Sequence, residues 1–106
     1  MRNPYDLING LVVAVNARDE EMLASCFAEQ AVVQDGGLEY HGALGVRRWI
    51  QDAFDKYGLK LKVLEVSGEG DKWLFDAVVS GTFEGSPVQL EHSVVIRDGK
   101  IANLCI

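Results

Sequence analysis

The chain is 106 residues long, 48% hydrophobic and 25% charged, with two prolines, the composition of one compact globular domain and not of a disordered segment. Its formal charge of -6, from 16 acidic against 10 basic residues, repels phosphate backbones and anionic membranes, so nucleic acid and membrane surfaces are not expected partners. A domain of this size buries roughly two-thirds of the surface its unfolded chain exposes, which leaves sheet area for a second subunit. No apolar run approaches the roughly 18 residues of a membrane span, and the start Met1-Arg2-Asn3-Pro4 carries no leader pattern. Cys26 and Cys105 have neither metal-type spacing nor a loop-rich scaffold around them and read as reduced core residues, which makes the cytoplasm the expected compartment.

In chain order, Asn3 followed by Pro4 is an N-cap with proline in the first turn, and Leu7, Ile8, Leu11, Ala14 and Val15 recur at helical spacing to about Ala17. Asp19 caps a second, shorter helix with Glu20 and Glu21 in its first turn and Met22, Leu23, Cys26 and Phe27 inward. Residues 31–35 read as a buried strand ending on Asp35, and Gly36-Gly37 permits a turn before a short extended piece, 38–41. A third helix opens at His41-Gly42, with Val46, Trp49, Ile50, Ala53, Phe54 and Tyr57 on one face. Arg47, Arg48, Gln51, Asp52 and Asp55 take the opposite side, and Gly58 is its left-handed stop. The remainder is strand, over residues 59–67, 72–83, 88–97 and 100–106, with turns at Gly68-Glu69-Gly70-Asp71, Glu84-Gly85-Ser86-Pro87 and Asp98-Gly99. Three helices followed by an antiparallel meander make one α+β domain over 1–106, a curved sheet wrapped on helices.

Two stretches carry a resemblance: Phe27-Ala28-Glu29-Gln30-Ala31-Val32-Val33-Gln34-Asp35, and the closing hairpin around Arg97-Asp98-Gly99-Lys100-Ile101. With the element order they make the chain resemble the SnoaL-like branch of the superfamily of nuclear transport factor 2 and ketosteroid isomerase. The resemblance implies a cone-shaped α+β fold, with three N-terminal helices packed in a curved, mostly antiparallel sheet. Its members include isomerases, dehydratases, cyclases and proteins that only bind or dimerise. It places Asp35 where ketosteroid isomerases hold their general base, a family whose carboxylate tuning is a general reference case. It places His92 where they keep a protonated aspartate, and Leu11 where they keep an oxyanion tyrosine.

His92 shares a strand face with Val88, Leu90, Val94 and Ile96, so it is either a satisfied core histidine or a pocket residue. Asp35 is either a turn aspartate bonded to Gly36-Gly37 or a carboxylate on a cavity wall. As a pair they make chemical sense, because a carboxylate accepting an imidazole N–H fixes the tautomer and frees the other nitrogen to move a proton. His41, as partial cap or mouth residue, joins Trp49, Phe54, Leu11 and Leu90 as expected pocket lining. No pair among Asp35, His41 and His92 has the close spacing that pre-aligns a metal site, and no dinucleotide or phosphate-loop pattern is present, so neither metal nor cofactor is expected. The expected partner is a small apolar organic molecule, acted on by Asp35 and His92 as an isomerase, dehydratase or cyclase would. The alternative is a non-catalytic dimeric binding or interaction domain. A homodimer through the sheet is expected either way, because Leu74 and Val78 occupy one face of the meander and Val79 and Phe83 the other.

Overall fold

The computed structural model describes residues 3–106, so Met1-Arg2 and its bearing on a leader lie outside the described residues. Helix α1, Pro4–Ala17, starts where the Asn3 side chain accepts a hydrogen bond from the Asp6 N–H and ends at Arg18, which adopts the left-handed conformation. Helix α2, Glu20–Ser25, is capped by Asp19, whose carboxylate accepts from the Met22 N–H. Strand β1 runs over Phe27–Asp35, so Phe27 opens the strand instead of closing the helix. Strand β2, Leu38–His41, returns across Gly36-Gly37, both at positive φ, a two-residue hairpin that glycine accommodates without Cβ strain.

Helix α3, Gly42–Gln51, does not continue regularly to Tyr57: it passes into one π-helical turn, Asp52–Lys56, closed by the Tyr57 N–H on the Asp52 carbonyl. Gly58, at φ +55°, then turns the chain into β3, Lys60–Glu69. Strands β4, Lys72–Ser80, β5, Val88–Arg97, and β6, Lys100–Cys105, complete a six-stranded sheet of order β2-β1-β6-β5-β4-β3. Strand β6 pairs with β1 in parallel, and every other neighbouring pair is antiparallel.

The inner face of the sheet follows strand alternation. Trp73, Phe75, Ala77 and Val79 of β4 and His92, Val94 and Ile96 of β5 are buried, while Leu74 and Glu91 point out. Leu7, Ile8, Leu11 and Val15 of α1 and Val46, Trp49 and Ile50 of α3 complete this core. Cys26 is buried, but Cys105 is exposed on the outer face of β6, because alternation turns it away when Leu104 turns in.

Candidate active site

Between the inner sheet face, α1 and the α3–π-turn segment lies a cavity of about 310 Å³. Asp35 and His92 both line it, with Leu11, Trp49 and Leu90. His41 and Phe54 do not. In β2, alternation sends Leu38 and Tyr40 to the cavity and Glu39 and His41 outward, where His41 Nε2 lies 3.2 Å from the Glu39 carboxylate. His41 sits at the N-cap position of α3 without making a side-chain capping bond. Phe54 is buried away from the hollow beneath the Arg18 guanidinium, 5.4 Å above its ring, and Ala53 faces the cavity in its place.

The hairpin holds Asp35 at the end of β1, directly across from Leu38. Its Oδ2 accepts a 3.0 Å hydrogen bond from the Trp49 indole N–H, so the partner that orients this carboxylate is an indole and not the imidazole of His92. The Trp49 ring is itself fixed edge-on against Phe27, with centroids 5.8 Å apart. Among the described residues the second carboxylate oxygen of Asp35 accepts no side-chain hydrogen bond.

His92 is buried, only 2% exposed, and stacks on Phe75 at 4.4 Å between ring centroids. Its Nδ1 lies 3.1 Å from the Leu90 carbonyl. A carbonyl oxygen only accepts, so the proton sits on Nδ1 and Nε2 is the acceptor. Burial pushes the imidazole below its ordinary range, against the opposing pull of the Leu90 carbonyl and the Asp35 charge. Burial therefore favours the neutral ring.

Two further polar groups escape the sequence reading. Tyr40 donates its hydroxyl to Asp52 Oδ2 at 3.0 Å, and both line the cavity. Burial first, then the bond to Asp52, push the phenol up to about 12. Asp52 follows Trp49 by three positions, the spacing of neighbours on a helix surface, and that spacing was the available signal. Tyr57 lines the same hollow. Among the described residues no group of three or more His, Cys, Asp or Glu side chains is arranged to hold a metal ion.

Three helices packed in a curved six-stranded sheet make an α+β cone of the nuclear transport factor 2-like kind. The chain belongs to the SnoaL-like domain family, which it matches over residues 8–104. It is similar to a crystal structure from Sinorhizobium meliloti provisionally named a polyketide cyclase, at 39% identity, with 94% of this chain and 92% of that chain covered and a TM-score of 0.90. A protein with a ketosteroid isomerase-like fold from Catenulispora acidiphila shares the fold at 17% identity, covering 98% of this chain and 85% of that one, with a TM-score of 0.80. So does a nuclear transport factor 2-like protein of unknown function from Cytophaga hutchinsonii, at 16% identity, 99% and 88% coverage and a TM-score of 0.83. No curated protein matches. Among the described residues no helix is long and apolar enough to cross a membrane.

Proposed function

We propose that the protein is a small cofactor-independent enzyme that moves a proton on a mostly apolar organic substrate, in an isomerisation, dehydration or ring closure. The observation that carries this reading is the juxtaposition of Asp35 and His92 on the walls of one apolar cavity, with Asp35 oriented by Trp49. The free oxygen of Asp35 removes a proton from carbon beside a carbonyl group. In an isomerisation the same carboxylic acid returns that proton to another carbon; in a ring closure the carbanion attacks a second carbonyl and the alkoxide formed takes the proton back from Asp35. In a dehydration the β C–O bond breaks and the hydroxide leaves as water with that proton. His92, neutral with Nε2 unprotonated, orients a substrate O–H or takes its proton, a role for which an acceptor is suited. The S. meliloti relative, named for cyclase activity, supports the same chemistry.

The reading includes a homodimer through the outer sheet face, supported by the exposure of Leu64 and Leu74 there.

Deuterium uptake at the α-carbons of small ketones and β-diketones, followed by NMR in heavy water, tests the reaction without a known substrate. Wild-type protein is expected to accelerate exchange, and Asp35→Asn to lose that acceleration by about 10²-fold or more. Its amide oxygen still accepts from Trp49, so the melting temperature should hold or rise. Exchange no faster than in buffer, or undiminished in Asp35→Asn, overturns the proposal.

A further inference from the structure

The polar groups on the cavity walls are one-sided in both charge and hydrogen-bonding sense. Asp35 and Asp52 are its carboxylates, and among the described residues no lysine or arginine lines it. The side-chain donors are already committed: Trp49 N–H to Asp35, Tyr40 O–H to Asp52, and His92 Nδ1–H to the Leu90 carbonyl. Only the Tyr57 hydroxyl, among the described residues, is a side-chain donor there without a protein acceptor. What remains are acceptors: the second oxygens of Asp35 and Asp52, a lone pair on Tyr40, and His92 Nε2. The faces around them are aromatic, from Tyr40, Trp49, Tyr57 and Phe83.

We infer that the ligand of this cavity is a protonated organic amine on an apolar body, its ammonium received by Asp52 and the neighbouring aromatic faces. A carboxylate or phosphate ligand meets two like charges and almost no donors. A neutral ligand leaves both carboxylates, each holding one protein hydrogen bond, without a counter-charge in a mostly apolar hollow. An ammonium supplies up to three donors and the missing charge, and it is attracted to ring faces as well as to carboxylates. The inference rests on reading this cavity as the working site, and it gives that reading an electrostatic component: a cation beside the carbon that loses its proton offsets the negative charge developing there.

Isothermal titration of the full chain at neutral pH with phenethylamine, 2-phenylethanol and phenylacetate tests it, since the three share one apolar body and differ in charge. The amine is expected to bind about tenfold or more tightly than the alcohol, with no binding of phenylacetate. Asp52→Asn, which keeps an acceptor for Tyr40, is expected to weaken the amine about tenfold and to leave the alcohol within about twofold. Equal affinity for amine and alcohol overturns the inference. So does binding of phenylacetate, binding of none of the three, or amine affinity unchanged in Asp52→Asn. Should Asp52→Asn fail to fold, the three-probe comparison on the unaltered chain decides alone. Selective amine binding without α-carbon exchange removes the proposed reaction and leaves this ligand class standing; exchange without amine selectivity does the reverse.

Discussion

The imidazole of His92, sealed between Phe75 and the cavity, links this site to the pH dependence of folding. Its folded-state pKa lies below the ordinary 6.5, chiefly through burial. Above that value the ring is neutral folded or unfolded, and it imposes no cost. As the pH falls through 6.5 the unfolded chain takes up a proton that the folded ring resists, so stability is lost until the pH passes the folded-state value. Melting curves between pH 7 and 5 should therefore slope downward for the unaltered chain and less steeply for His92→Gln; identical slopes would remove His92 from the account. At this scale sequence reasoning reached both ends of the proposed pair, because a strand stopping on a carboxylate beside two glycines, and a histidine in an apolar stripe, are local patterns. The partners it offered Asp35, the Gly36-Gly37 backbone or the His92 imidazole, did not include Trp49, which lies fourteen positions away and meets it only once α3 packs on β1. In β2 it favoured His41 over Tyr40, a parity that a four-residue strand does not announce.

Two close approaches between elements set the shape of the hollow. Asn16, near the end of α1, bonds both backbone groups of Leu61 at 2.8 Å, so a side chain satisfies the free edge of β3 where no further strand pairs. Asn16→Ala leaves that N–H and C=O without partners and should cost about 1–3 kcal/mol. That corresponds to a fall of about 4–8 °C in melting temperature for each kcal/mol. A change under one degree would show that water replaces the amide. Gly45, in the first turns of α3, sits so close to β2 that a Cβ there would lie 2.8 Å from the Tyr40 carbonyl carbon. Gly45→Ala must push helix and strand apart, and the Tyr40–Asp52 hydrogen bond, which spans the same two elements, is expected to weaken. Spectrophotometric titration of the phenol, set at about 12 in the unaltered chain, should show it moving down; an unmoved titration would refute the coupling. The sequence reading grouped Asp52 with the charged residues of the solvent side, whereas it lies three positions after Trp49 and lines the cavity beside it.

Across the whole molecule, the sheet covers its helices with one face and presents Leu64, Leu74 and the half-buried Val78 on the other. The proposed homodimer predicts a two-chain species by sedimentation velocity at micromolar concentration, converted to monomer by Leu74→Lys with little change in far-ultraviolet circular dichroism. A single-chain species for the unaltered protein would remove the partner from the reading. The same outer face carries Glu65, Asp76 and Glu91 in cross-strand register on β3, β4 and β5, a like-charge row that limits how flatly two copies meet. By itself the sequence determined the Asn3 and Asp19 caps, the order of three helices, five strands and a short extended piece, and the family likeness. Each of these is encoded by residues adjacent in the chain or repeated at the period of one element. Only the tertiary structure decided that Trp49 orients Asp35, that Tyr40 meets Asp52, and that the walls of the hollow keep acceptors and few donors. Those facts depend on which groups from separate elements arrive within hydrogen-bond distance, and no local period records that distance.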